Sequence, residues 1–214
     1  MAHAGDESSD IVAFHSQFFN VIAELFPGLT DLHYGLAPED ATAGGWLGLI
    51  GRLRAGPGRL LERVVSLADM ARWPATSRGL DLGCGLGGTS LYLAHRFGFD
   101  MTGVNINPSQ LRLAETRMQG RPGAARVRLL EGDVCDLPLP DQNADFAVMI
   151  EVAFHVRDKA RLLGEVARVL RPGGTFVLVD QEGEAPRGVL GLFWFAGEGE
   201  YRGLARVAGL ATVC

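Results

Sequence analysis

From Arg78 to Asp180 the chain alternates short runs of β-branched and large apolar residues with longer stretches whose apolar residues recur at helical spacing. Gly79 to Leu82 predicts a first strand, followed by a glycine-rich loop and a helix over Thr89 to Phe97. A second strand is expected at Asp100 to Asn105. Asn107-Pro108 then opens a helix, since Asn is a strong N-cap, Pro suits the first helical position, and Gln110 stands three residues after the cap. Further strands are predicted at Ala125 to Leu130 and at Ala144 to Ile150. Between Asp158 and Leu170, the positions of Leu162, Leu163, Val166, Val169 and Leu170 predict a helix. "RPGG", Arg171 to Gly174, stops it, and "TFVLVD" follows as a fifth strand. Such alternation requires crossover connections, so the expected class is α/β with a mostly parallel sheet covered on both faces.

The chain before Arg78 has a different pattern. Ile11 to Leu25 and Leu60 to Ala71 predict helices, interrupted by "GPG" at Gly56 to Gly58, and no strand is indicated. This predicts an N-terminal helical cap over one end of the sheet, residues 1–77, followed by the α/β domain, residues 78–214. Phe14, Phe18, Phe19 and Ile22 share a helical face, read as core of that cap. At the other end, Glu198 to Ala208 predicts a helix and "GLATVC" a strand that begins or ends at the last residue. The sheet is therefore expected either to have an exposed final edge or to continue in a longer natural chain.

Composition narrows the function classes. The 214 residues are 47% hydrophobic and 21% charged, with a formal net charge of -5. That balance fits a globular protein and supplies no basic field for a nucleic-acid backbone or an anionic membrane. The polar start "MAHAGDESSD" is unlike a signal peptide, and the longest apolar run, Gly188 to Gly197, is too short to span a bilayer. The three cysteines, Cys84, Cys135 and Cys214, show neither metal spacing nor a disulfide framework, so a reducing cytoplasm is expected. No metal-binding pattern is found.

The candidate chemistry begins at "LDLGCGLGG", Leu80 to Gly88, which contains a literal G-x-G-x-x-G in Gly83, Gly85 and Gly88. In dinucleotide enzymes an acidic residue about 20 positions on grips the ribose. Here the end of the second strand carries Asn105, which can hydrogen-bond hydroxyls but without charge assistance. Asp81 lies inside the first strand, where a carboxylate is costly unless paired. A pyrophosphate gives no reason for a negative charge there; a ligand bearing ammonium and sulfonium cations does. A carboxylate capping a neighbouring turn is the alternative.

"LDLGCGLGG", "GVNINPSQL", "EGDVCDLPLPDQNADFAVMIEVAFH" and "VARVLRPGGTFVLVD" stand in an order and spacing that resembles the class I S-adenosylmethionine-dependent methyltransferases. The resemblance covers Arg78 to Gln181, roughly half the chain. It is similar in particular to the small-molecule branch, with sterol, tocopherol, cyclopropane-fatty-acid and antibiotic-tailoring enzymes; "LHYGL", Leu32 to Leu36, resembles a segment of their cap. The resemblance implies a Rossmann-like methyltransferase fold and S-adenosylmethionine as cofactor. It implies that the backbone of Gly83, Gly85 and Gly87 lines the methionine part, with Asp81 near its ammonium. Asn105 would take the ribose hydroxyls, with Ile106 beside the adenine and Gln110 close by. Asp133 would accept from the adenine amine and the Val134 amide would donate to a ring nitrogen. Glu151 would border the methionine and the substrate, and Tyr34 would fold over the cofactor from the cap. Asn105 departs from the commonest acidic pattern at the ribose position of the family.

Methyl transfer from a sulfonium is an in-line displacement, so the protein must align the reactants and exclude water. An oxygen or nitrogen nucleophile also benefits from a base, and histidine suits that role near neutral pH. His155 follows Glu151 by four residues beyond the fourth strand; on a helix both would share a face. His155 and Glu151 are therefore the candidate catalytic residues, with packing or substrate positioning as the other roles for His155. His33 beside Tyr34 reads as cap packing, and Cys84 as a small residue required by the loop rather than a nucleophile. The expected activity is methyl transfer to an O, N or C nucleophile of a small apolar or amphipathic molecule. An NAD(P)-dependent oxidoreductase, a cofactor-binding partner protein without catalysis, and a protein or nucleic-acid methyltransferase remain alternatives; the acidic balance opposes nucleic acid. The expected partner is a small molecule, with no stable membrane insertion, and a homo-oligomer stays open.

Overall fold

The structure is a computed structural model that describes residues 58–180 and 196–211. Its strands are β1 (Arg78–Leu82), β2 (Asp100–Asn105), β3 (Val127–Glu131), β4 (Ala144–Ile150) and β5 (Leu170–Val179). They form one sheet in the order β3-β2-β1-β4-β5, with every neighbouring pair parallel. The helices are α1 (58–67), α2 (Gly88–Phe97), α3 (Pro108–Met118), α4 (Lys159–Val169) and α5 (Glu198–Val207). The chain winds outward from β1 to β3, returns past β1, and continues through β4 and β5. Strand order therefore reverses between β1 and β4, and a crevice is expected beyond their C-terminal ends. This is the α/β Rossmann-like parallel sheet that the alternating pattern predicts.

β4 shows why a nearly continuous apolar strand belongs in the middle of such a sheet. Successive side chains point to opposite faces. Phe146, Val148 and Ile150 join Leu60, Leu61, Val64 and Val65 of α1 and Leu93 of α2 on one face. Ala147 and Met149 join Leu80, Leu82 and Leu162, Val166 and Val169 of α4 on the other. α1 thus covers the sheet itself, and Tyr92 Oη and Arg96 Nη1 of α2 each donate to its Glu62 Oε1 at 2.6 Å. These exposed links are worth little beside the apolar contact. The rest of the expected cap, including the helix over Ile11 to Leu25 and its Phe14, Phe18, Phe19 and Ile22, lies outside the described residues.

Element starts follow the cap chemistry. Asn107 Oδ1 accepts from the amides of Ser109 and Gln110 at 3.0 and 3.3 Å, and Asp158 Oδ1 accepts from the Arg161 amide at 2.9 Å. Several boundaries move for local reasons. α1 ends before Asp69, which takes a left-handed conformation (φ 49°) and leads into a 3-10 turn over Met70–Arg72. A second 3-10 turn over Ala124–Arg126 follows Gly123 and delays β3 to Val127. "RPGG" lies within β5: pairing jumps from Ala144↔Leu170 to Phe146↔Thr175, so the stretch bulges out between the two registers. Gly209 to Ala211, where a strand was expected to start, is turn and irregular chain; 212–214 lie outside the described residues. No helix among the described residues is long and apolar enough to cross a membrane.

Among the described glycines, Gly79 of β1 leaves the least room for a side chain. A Cβ there would stand 2.2 Å from Phe146 Cζ and 2.6 Å from Met101 Sδ. Phe146 is fully buried against Phe99 and Trp73, with centroids 5.2 and 4.5 Å away, and has no room to retreat. Gly79→Ala is expected to lower unfolding free energy by about 1–3 kcal/mol, the usual cost of overpacking, as measured by urea denaturation.

Candidate cofactor-binding site

Beyond β1 the chain turns sharply, and the turn identifies which glycines matter. Gly83, Gly85 and Gly87 have φ of 77°, 53° and 77°, whereas Gly88 is already the first residue of α2. The conformation therefore selects Gly83, Gly85 and Gly87, and the spacing that includes Gly88 is incidental to it. Gly83 carries a second constraint: a Cβ would meet Val152 Cγ1 at 2.5 Å. The turn is anchored to β2, because the Val104 carbonyl accepts from the amides of both Gly83 (2.8 Å) and Cys84 (3.0 Å).

Asp81 is buried in β1, and its Oδ2 accepts from Ser90 Oγ of α2 at 2.7 Å. One carboxylate oxygen is thus occupied by the first turns of the helix behind the glycine loop. Cys84 is buried within the loop; burial, and secondarily the charge of Asp81, push its thiol well above the ordinary range. It is poorly suited to act as a nucleophile.

At the end of β2, Asn105 and Gln110 are both buried. Asn105 Nδ2 donates to Gln110 Oε1 at 2.8 Å and to the Gly85 carbonyl at 3.5 Å. This orients the two amides as one unit against the glycine turn. Gln110 Nε2 is buried without a hydrogen-bond partner among the described residues, an arrangement that native proteins seldom leave unmet. Ile106 follows, half-buried. The register Asn105↔Glu131 brings the segment after β3 alongside, and the Gly132 amide donates to the Asn105 carbonyl at 3.0 Å. There Asp133 Oδ1 accepts from the Cys135 amide at 2.8 Å, so this carboxylate partly serves its own turn. Val134 packs into the core.

The segment after β4 differs from expectation. Glu151 follows β4 in a left-handed conformation (φ 54°), with its amide donating to the Val179 carbonyl at 2.7 Å. A non-glycine residue held there is strained. Val152 then lies over Gly83, and a 3-10 turn covers Ala153–His155. Glu151 and His155 accordingly do not share the face of one helix: the left-handed residue and the 3-10 turn break the i, i+4 geometry. His155 is half-buried, its ring centroid 4.3 Å from that of Phe154. Tyr34 and His33 lie outside the described residues. Among the described residues no group of His, Cys, Asp and Glu is arranged to hold a metal ion.

One buried ionisable residue at this edge carries no sequence signal of its role. Lys159, in the first turn of α4, is 4% exposed, and its Nζ donates to the Ala153 carbonyl at 2.6 Å and to the Val156 carbonyl. A lysine after an N-cap reads as solvated; only the returning 153–156 loop buries it.

These elements define a nucleotide-binding α/β fold with its glycine turn, amide pair and post-β4 segment gathered at one sheet edge. Residues 80–178 match the methyltransferase domain family. Over 173 residues the chain is 34% identical to O-methyltransferase rstn1 of Aspergillus nomiae, covering 81% of this chain and 72% of that protein. It is 31% identical over 150 residues to ajmaline N-methyltransferase of Rauvolfia serpentina, 69% of this chain and 50% of that protein. The crystal structure of geranyl diphosphate C-methyltransferase from Streptomyces coelicolor, in complex with Mg2+, geranyl diphosphate and S-adenosyl-L-homocysteine, shares the fold. That similarity has a TM-score of 0.75 at 21% identity, over 97% of this chain and 81% of that one. The chain belongs to the class I S-adenosylmethionine-dependent methyltransferases, and S-adenosylmethionine is the cofactor of that family. It spans about half the length of ajmaline N-methyltransferase. The buried Gln110 Nε2, which lacks a partner among the described residues, and the side-chain-free glycine turn fit a ligand that bears neutral hydroxyl groups.

The buried, protonated state of Cys84 has a direct readout. At neutral pH, Cys84 in the folded protein is expected to resist iodoacetamide and to alkylate only after unfolding in guanidinium, as followed by peptide mass spectrometry. Rapid native modification would contradict the burial.

Proposed function

We propose that this chain transfers the activated methyl of S-adenosylmethionine to an O, N or C nucleophile of a small apolar or amphipathic molecule. The observation that carries this reading is the buried amide pair, Asn105 and Gln110, set against the glycine turn at the strand-order reversal. A pair of neutral amides offers donors and acceptors to a ribose diol. It supplies no charge-assisted bond of the kind a dinucleotide enzyme obtains from a carboxylate at that strand end.

When bound, S-adenosylmethionine supplies an electrophilic methyl on a sulfonium. The chain's residues then have separable tasks. The backbone of Gly83, Gly85 and Gly87 lets the ligand's amino-acid part approach closely, and the Asp81 carboxylate behind it favours an ammonium. Ile106 and Val134 border the adenine, with Asp133 and the Val134 amide as its polar partners. Glu151 stands between cofactor and acceptor. His155 accepts the proton of an oxygen or nitrogen nucleophile as the bond to carbon forms. The relatives named above include O-, N- and C-methyltransferases, which is why the acceptor atom is left at that breadth. The Gly188 to Ala196 run and the apolar positions along the N-terminal sequence favour an acceptor with apolar surface.

Thermal denaturation with S-adenosylmethionine, S-adenosylhomocysteine and NAD(P)H at matched concentrations tests the cofactor. A ligand at a hundredfold excess over its Kd stabilises by about 2.7 kcal/mol, and a shift is expected with the first two alone. Stabilisation by the nicotinamide only would overturn the reading. Asn105→Ala is expected to weaken S-adenosylhomocysteine binding about tenfold in calorimetry, the scale of one buried hydrogen bond. With the acceptor identified by labelled-methyl transfer into an extract of the source organism, His155→Ala should lower kcat by about 10²–10⁴. An unchanged rate would remove His155 from the mechanism.

A further inference from the structure

His155 sits on a short 3-10 turn, and such a turn has little intrinsic rigidity. Within it the His155 amide donates to the Val152 carbonyl at 2.9 Å, and the Val156 amide to the Ala153 carbonyl at 2.9 Å. The carbonyls that flank the histidine, those of Ala153 and Val156, both also accept from the Lys159 ammonium. One buried cation thereby clamps the turn on either side of His155.

The clamp is built into the surrounding fold. Asp158 caps α4 immediately before Lys159, which sets where the lysine leaves the helix. Burial holds the Lys159 ammonium below its ordinary range, and negative charge from Asp180, just after β5, and from Glu200 of α5 offsets only part of that effect. Asp180 is held in turn by Tyr201 of α5, whose hydroxyl donates to Oδ2 at 2.7 Å. A buried cation is costly unless it is paired and hydrogen-bonded. A lysine placed here at that cost, when an apolar residue would fill the space, points to a requirement for the turn's conformation.

We propose that Lys159 is a positioning residue for the active site: it holds the Ala153–Val156 turn so that the His155 ring keeps one orientation at the acceptor side. The functional half of this statement rests on the assignment of His155 to the acceptor side made above. The mechanical half does not, because it concerns the ligand-free protein.

The experiment separates them. Hydrogen exchange is measured residue by residue by NMR on the ligand-free chain, together with the ring signals of selectively labelled histidine, for wild type, Lys159→Met and Lys159→Arg. In Lys159→Met the His155 and Val156 amides should exchange about tenfold faster or more, while amides of β1 stay within about twofold. The His155 ring signal should shift and broaden, with the His95 signal unchanged as a control. Lys159→Arg, which keeps the charge and the donors, should restore both protection and signal. Unchanged exchange at His155 and Val156 in Lys159→Met would overturn the proposal. So would uniform acceleration across β1, which would make Lys159 a general stability element. Should Lys159→Met not fold, Lys159→Gln, which keeps a donor without the charge, carries the same comparison. Failure of methyl transfer with the exchange result intact would refute the catalytic assignment and leave the clamp standing.

Discussion

The carbonyl oxygen of Val104 holds the cofactor edge together. It accepts from two consecutive amides, those of Gly83 and Cys84, and so ties the turn after β1 to the end of β2. Buried amides need partners, and a chain that reverses from strand to helix within a few residues can present both to one acceptor only in left-handed conformations. Gly83, Gly85 and Gly87 meet that requirement. From the same anchor follow the start of α2, the approach of Asn105 to the Gly85 carbonyl, and the burial of Cys84 beside Gly103.

The second edge of the crevice is arranged differently. On the β1–β2 side the backbone is bare, and its neighbours are a pair of neutral amides and the Asp81 carboxylate bonded by Ser90. On the β4–β5 side a strained Glu151, a 3-10 turn and a buried lysine lie close together. Strained backbone and a buried charge both oppose folding and persist only where packing over-determines them. Here the support comes from the large apolar faces of β4, which pack against α1 and α2 on one side and α4 on the other. A parallel sheet buried on both faces thus supplies the stability that its C-terminal edge consumes. The fold itself does not select a reaction; the two edges differ in chemistry.

The elements from β1 to β5 were legible in the sequence because hydrophobic periodicity, Asn107 and Asp158 as caps and glycine stops agree with one another there. The departures have local causes. Asp69 ends α1 early, a 3-10 turn displaces the start of β3, and the "RPGG" stretch bulges within β5 instead of preceding it. The residues themselves pointed to the glycine turn, Asp81 and Asn105, and the family resemblance to Gln110 and Asp133. It did not reveal that Asp81 bonds Ser90, that Asp133 serves the Cys135 amide, or that Asn105 and Gln110 form a pair. The helical pairing of Glu151 with His155 failed because a single left-handed residue is invisible to a spacing rule.

By itself, then, the sequence determined the class of fold, the direction of its strands and the family to which its motifs belong, because these depend on patterns of period and spacing carried by neighbouring residues. Tertiary structure decided which glycines are conformationally required, which polar atoms remain to meet a ligand, and where Lys159 is buried. Those depend on partners brought together from distant elements: Val104 with Gly83, Asn105 with Gly85, and the ends of β4 and β5 with α4 and α5.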